Sequence, residues 1–333
     1  MNGLELSKLY YQQIGRPMLE EKFAEYLPRL AAGLVGEGSE CFGFDDEISR
    51  DHDFGPGFCI WLCKKDFDEI GAEMQKAYDS LPKEFMGYSS RNTSLRGGGR
   101  VGVFEISSFY RKFIGSCQPP QNLTEWLFLP EHKIATAVNG EVFEDNPGHF
   151  SAIRNSLLAY YPKDVRIKKI AARASAMAQS GQYNYSRCMR RGDVVAADMA
   201  LAEFIKATIS MVYLLNRSFC PYYKWQFYGL KQLHKKNGHL FACSGVINML
   251  EKLCTTENQS NAWQPPFAAD WNPNVNRYDK KVVLIENICT LVVNELYRQG
   301  LTDINDSFLE AHTYKIMNCI SDEILKRYHV TEG

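Results

Sequence analysis

Gly36-Glu37-Gly38-Ser39, then eleven residues, then Asp51-His52-Asp53-Phe54, is the stretch whose reading decides the fold. Residues two apart on a strand point to the same face. Asp51 and Asp53, read as one strand, therefore share a face and hold one or two divalent ions between them. Hard cations such as Mg2+ take carboxylate and phosphate oxygens. The Gly-Ser turn offers backbone N–H groups and the Ser39 hydroxyl to a triphosphate. These parts belong to phosphoryl-type chemistry organised by metal ions rather than by a protein nucleophile. A lone Asp-x-Asp more often marks a solvated turn, but the setting here is apolar. Residues 30–35 read as a short buried strand ending at the glycines, and 58–62 read as an apolar run. Strand one is placed at 30–35 and strand two at 51–62, with the aspartates at one end of a core strand.

A third carboxylate on a neighbouring strand would complete such a site. Glu105, in Val101-Gly102-Val103-Phe104-Glu105-Ile106, is the candidate, because a charge in an apolar strand is costly unless paired or metal-bound. Its alternative is a solvated strand edge. Asp45, Asp46 and Glu47 read as a solvated acidic loop, with Asp46 or Glu47 the fallback ligand. Arg50 either touches a triphosphate or balances that acidic cluster. His52, pointing opposite to its neighbours, reads as a core residue.

Gly38-Ser39…Asp51-His52-Asp53 resembles the signature of the polymerase-beta-type nucleotidyltransferase superfamily. Gly33-Leu34-Val35-Gly36-Glu37-Gly38-Ser39-Glu40-Cys41-Phe42-Gly43-Phe44-Asp45-Asp46, Gly181-Gln182-Tyr183-Asn184-Tyr185 and Pro221-Tyr222-Tyr223-Lys224-Trp225 are similar to marks of a bacterial family known as domain of unknown function 4037. That likeness is expected to extend over nearly the whole chain. The two-half layout is distantly similar to adenylyltransferases that inactivate aminoglycoside or lincosamide antibiotics. The resemblance implies that Asp51, Asp53 and the third acidic residue hold two Mg2+ ions, that the third also serves as base, and that Gly38 and Ser39 cradle the β- and γ-phosphates.

With 333 residues the chain exceeds one typical core. Its 45% hydrophobic and 23% charged content are those of a soluble globular protein. No run reaches the roughly 20 apolar residues that span a bilayer. The opening Met1-Asn2-Gly3-Leu4-Glu5 lacks signal-peptide character, so a cytoplasmic location is expected. Ten scattered cysteines without a Cys-x-x-Cys pair read as free thiols. Residues 1–150 carry 15 Lys+Arg against 23 Asp+Glu, and 151–333 carry 23 against 16. An acidic metal-bearing half and a basic nucleotide-facing half suit a two-domain cleft; equally, opposite charges help two domains dock. Neither half is basic enough to argue for long nucleic acid. Gly97-Gly98-Gly99-Arg100-Val101-Gly102 matches a dinucleotide fingerprint in spelling but precedes a strand instead of following one.

Helices are expected at 3–27 with a break near Gly15-Arg16-Pro17, at 65–81 and at 108–114, with a third strand at 100–107. Residues 1–118 form the expected nucleotidyltransferase-like domain with a small mixed sheet, the turn-rich 119–149 the connection, and 150–333 an α-helical bundle. The fold class is α+β. In the second half Tyr185 and Arg187 either contact base and phosphate or belong to an interhelical loop. Lys224, opening a helix, is a candidate for the triphosphate. The expected activity is Mg2+-dependent transfer of AMP from ATP to a hydroxyl of a small molecule, releasing pyrophosphate. The alternatives are adenylylation of a protein or tRNA end, or a nucleotide sensor without catalysis.

Overall fold

Short apolar runs, buried at every position of the two central strands, build one sheet. The computed structural model describes residues 1–51, 54–89, 91, 99–240, 242–259, 263 and 276–333, with the backbone alone for Arg50, Asp51 and Leu240. Its strands are β1 (Leu30–Leu34), β2 (Cys59–Leu62), β3 (Gly102–Glu105) and β4 (Glu141–Asp145). Their order is β3-β2-β1-β4; β1 runs antiparallel to β2 and β4, and β2 parallel to β3. The sheet is small and mixed, as the sequence predicts. The helices are α1 (Gly3–Tyr10), α2 (Arg16–Lys22), α3 (Ser39–Phe42), α4 (Lys64–Asp79), α5 (Ile106–Ile114), α6 (Leu123–Phe128), α7 (Glu131–Val138), α8 (His149–Leu158), α9 (Lys163–Met177), α10 (Ser186–Arg190), α11 (Val194–Leu215), α12 (Gln226–Asn237), α13 (Gly245–Thr255), α14 (Lys280–Arg298), α15 (Glu310–Asn318) and α16 (Glu323–Arg327).

The chain divides into two compact units, Met1–Gln121 with Leu129–Tyr160, and Asn122–Phe128 with Tyr161–Gly333. The first holds the whole sheet. Strand parity puts Leu30, Ala32, Ile60, Leu62 and Val103 in one core with Tyr10, Leu19, Phe58 and Met74. On the opposite face Trp61 stacks on Phe150 at 3.9 Å between ring centroids and meets Phe109 edge-on at 5.4 Å. Gly33 sits at the register shift between β1 and β4, where a Cβ would stand 2.4 Å from the Glu141 carbonyl oxygen. Only glycine lets the two backbones approach so closely.

Three expectations are corrected. Strand two starts at Cys59, and Ile48–Asp51 is a single 3-10 turn, so Asp51 is not on a strand. The reason lies in Gly55-Pro56-Gly57: proline lacks the ladder N–H, and Gly55 has φ of 144°. Helix α5 begins at Ile106 rather than 108, because Glu105 caps it. Segment 119–149, read as turn-rich, carries α6, α7 and β4, the last completing the sheet beside β1.

Among its described residues the second unit contains helices and no strand. Helix α9 does not stop before Gly181 but runs on as a π-helix, Ala178–Tyr185, into α10. Gly181 allows it: a Cβ there would fall 2.2 Å from the Phe204 ring on α11. Among the described residues no helix is long and apolar enough to cross a membrane. Gly181→Ala overpacks this crossing and is expected to cost about 1–3 kcal/mol; an unchanged urea midpoint would show that α9 and α11 are not packed this tightly.

Candidate functional site

The residues after β1 cannot continue as a strand. Gly36 and Gly38 adopt φ of 126° and 129°, a region L side chains rarely occupy. Ser39 then opens the four-residue α3, and Gly43 closes it in the left-handed conformation. The loop is held from a distance. Asn139 accepts from Gly36 N–H through Oδ1 and donates to Gly36 O through Nδ2, both at 2.8 Å. Its neighbour Gly140 donates its N–H to Cys41 O at 2.6 Å. A Cβ on Gly140 would lie 1.9 Å from Leu34 O, so this Asn-Gly pair is fitted against the end of β1. Arg154 supports the pair by donating to the carbonyls of Asn139 and Gly140 at 3.0 and 3.2 Å.

Charge is arranged around the loop in two pairs. Arg91 Nη1 meets Glu40 Oε1 at 2.7 Å, with both side chains about 95% buried (6% and 5% exposed). Burial works against the Arg91 charge, but Glu40 outweighs it and raises the guanidinium above its ordinary value. Lys112 on α5 pairs with Glu37 at 2.8 Å, both half-exposed.

Beside the loop lies a pocket of about 190 Å³. Gly36 and Glu37 form one wall, β3 and α5 the others, with Arg100, Glu105, Ser108 and Lys112 among mainly aromatic and aliphatic side chains. Glu105 is buried and fully engaged. Its Oε1 accepts from Ser107 N–H at 2.8 Å; its Oε2 accepts from Ser108 N–H at 2.7 Å and Ser108 Oγ at 2.6 Å. Burial raises its pKa, and these hydrogen bonds, led by the Ser108 hydroxyl, overcome that and hold the carboxyl below its ordinary range.

The described residues do not assemble the carboxylate set that the sequence reading assigns to Mg2+. Asp53 and the Asp51 side chain lie outside the described residues, as does the Arg50 side chain. Among the described residues no three His, Cys, Asp or Glu groups converge as a metal site. Glu105 is the poorer fit to a third ligand, since both oxygens already accept hydrogen bonds in the α5 cap. Asp45 fits better than its reading as solvated loop allows: Oδ2 accepts from Gly3 N–H at 2.9 Å, while Oδ1 is buried with no hydrogen-bond partner. A buried, unspent carboxylate oxygen is costly by itself and suits a cation.

Gly38, Ser39 and Glu105 all belong to the first unit, and of the three Glu105 lines the pocket, beside Gly36 and Glu37. Tyr185, Arg187 and Lys224 belong to the second unit. Tyr185 is wholly buried, 3.4 Å from Asp279 Oδ2, and presents no ring face to a base. Arg187 lies over the Tyr183 ring at 3.7 Å, and Lys224 over Trp225 at 5.3 Å. Sequence reasoning missed Asn139, Gly140, Arg91 and Lys112. Asn139-Gly140 carried a turn signal but none for its distant partner; Arg91 and Lys112 carried none.

A family model, Domain of unknown function (DUF4037), matches residues 126–226. The match covers the 181–185 and 221–225 marks and stops well short of the Gly36–Asp53 stretch, so the resemblance over nearly the whole chain narrows to this segment. No curated protein and no solved structure matches the chain.

Asn139→Ala strands the buried Gly36 N–H and C=O and is expected to cost about 1–3 kcal/mol. Asn139→Asp, which keeps the acceptor, should fall between, by urea unfolding. A second expectation concerns acid. Folded Glu105 titrates below its ordinary 4.5, so its stabilisation is present above that pH and lost as pH falls through the lower folded value. Glu105→Gln should therefore flatten the fall of the urea midpoint with decreasing pH; an equal fall in both proteins would remove Glu105 from the acid response.

Proposed function

We propose that the first unit binds a nucleoside triphosphate over the 36–39 loop and transfers its nucleoside monophosphate, AMP from ATP, to the hydroxyl of a small acceptor. One observation carries the reading. A buried strand ends in a glycine loop whose backbone is fixed from outside, next to a pocket that holds two cationic side chains. Gly36 and Gly38 set the path of the loop: Asn139 holds the Gly36 N–H and C=O, and the Glu40 carboxylate packs against Gly38, so Ser39 and the pocket cations are what would meet the phosphates. The amide and hydroxyl of Ser39 add donors. Because Asn139 sets the loop in advance, little ordering cost remains at binding. Half-exposed Lys112 can exchange its Glu37 partner for a phosphate oxygen, and Arg100 supplies a second cation in the same pocket.

Asp51 and Asp53, with Asp45 in place of Glu105, would hold the metal, which supplies charge neutralisation on the triphosphate and a lowered pKa for the acceptor hydroxyl. In this reading Glu105 is a positioning residue. It fixes the start of α5 and holds Ser108 on the pocket wall, and taking up a proton would weaken that cap. Aromatic side chains on the pocket wall exclude water and give an apolar acceptor or base a surface.

The spent oxygens of Glu105 favour one second reading, nucleotide binding without transfer. Both readings predict that ATP, GTP, CTP or UTP with Mg2+ raises the melting temperature. A ligand at about a hundred times its Kd stabilises by about 2.7 kcal/mol. The shift should vanish in Asp51→Ala/Asp53→Ala and weaken in Asp45→Asn. Pyrophosphate release on adding acceptor hydroxyls separates transferase from sensor. No shift with any of the four nucleotides would sink both.

A further inference from the structure

Residues 204–250 contain no Asp or Glu, yet include Lys206, Arg217, Lys224, Lys231, Lys235 and Lys236. In a chain with 39 acidic residues, so long an acid-free run is a charge signal of its own. The second unit turns part of this run outward. Tyr222, Tyr223 and Tyr228 are 50%, 73% and 40% exposed, though tyrosine usually buries its ring. The Tyr222 and Tyr223 rings lie 4.5 Å apart, and Trp225 meets Tyr228 at 5.8 Å. Tyr228, Lys231 and Lys235 are spaced three and four apart on α12 and share one helix face. Aromatic rings and ammonium groups are thus interspersed from 222 to 235, with the Trp225–Tyr228 contact joining 222–225 to α12. Lys224 lies over the Trp225 ring at 5.3 Å and Lys231 over Phe227 at 5.0 Å. Lys231 also pairs with Glu251 at 3.3 Å, both partners half-exposed, a contact that a phosphate can replace.

We propose that this strip, residues 222–225 and the Tyr228–Lys231–Lys235 face of α12, binds a short single-stranded nucleic acid. Bases stack on the tyrosines and the backbone phosphates pair with the lysines. Two features select this occupant. An acidic peptide without aromatic side chains satisfies the cations but gives flat exposed tyrosines nothing to stack on. A duplex keeps its bases stacked on each other and unavailable to the rings. Helix α12 is about 18 Å long at 1.5 Å per residue, so the strip matches a few nucleotides rather than a long strand. The inference stands on the second unit alone and does not depend on what the first unit transfers.

The test uses the full chain and a short fluorescein-labelled single-stranded RNA, followed by anisotropy. The single strand should bind, more tightly than the same sequence as a duplex. Tyr223→Ala/Tyr228→Ala should weaken binding about tenfold or more, from the loss of base stacking. Lys231→Ala/Lys235→Ala should weaken it and lower the slope of log Kd against log salt by roughly 1.4. Both variants should melt as the wild type does, since these side chains are at the surface. Three results would each overturn the proposal: no binding of the single strand, equal binding of the duplex, or competition by polyglutamate with no effect of the tyrosine variant.

Discussion

Asn139 bonded to both the N–H and the C=O of Gly36 is the constraint on which the open end of the first unit depends. The loop after β1 has no regular structure to satisfy its own backbone, and two glycines in an L-disfavoured conformation are the least ordered residues a chain has. Left to itself, such a loop would sample many shapes. A carboxamide that supplies one donor and one acceptor reads the backbone of a single residue and fixes it. Gly140 completes the arrangement by approaching the end of β1 more closely than any side chain would allow. The shape of the 36–39 loop is therefore written about a hundred residues downstream, in the turn that leads into β4.

Around that fixed loop, charge is distributed by depth. The buried Arg91–Glu40 pair loses solvation on both sides and persists through close contact. Such a pair adds little net stability over an apolar substitute; removing one partner is what costs. The exposed Lys112–Glu37 pair is the opposite case, weakly held and open to exchange. Of the two pairs, Lys112–Glu37 lines the pocket and is open to exchange, while Arg91–Glu40 is buried and fixed.

In the second unit, charge counted along the chain overstates charge at the surface. Lys168 is fully buried, donating to the carbonyls of His329 and Glu332 at 2.6 Å each, and burial lowers its pKa to about 8. Lys169 donates to Leu127 O at 2.8 Å, and Arg166 to Leu214 O at 2.9 Å. These cations tie chain segments together and attract nothing from outside. In the acid-free run beyond residue 203, Lys206, Lys235 and Lys236 are exposed to solvent.

What the sequence determined by itself was local and periodic. The mixed sheet, β1 at residues 30–34, α4 from its helical spacing, the helical second half and the break of regular structure at Gly36-Glu37-Gly38-Ser39 all follow from alternation, helical period and glycine placement, which act between near neighbours. Only tertiary structure decided the rest. Glu105 is a local exception: read as the candidate third ligand, it caps α5 through its near neighbours Ser107 and Ser108. Gly181-Gln182-Tyr183-Asn184-Tyr185 looked like a polar loop, yet it is helix, because Gly181 meets Phe204 and Tyr185 meets Asp279 across the bundle. Asn139 looked like an ordinary turn residue, since its partner is 103 positions away. A hydrogen bond or close packing contact between distant segments leaves no period in the chain, and it becomes visible only when the fold brings its two ends together.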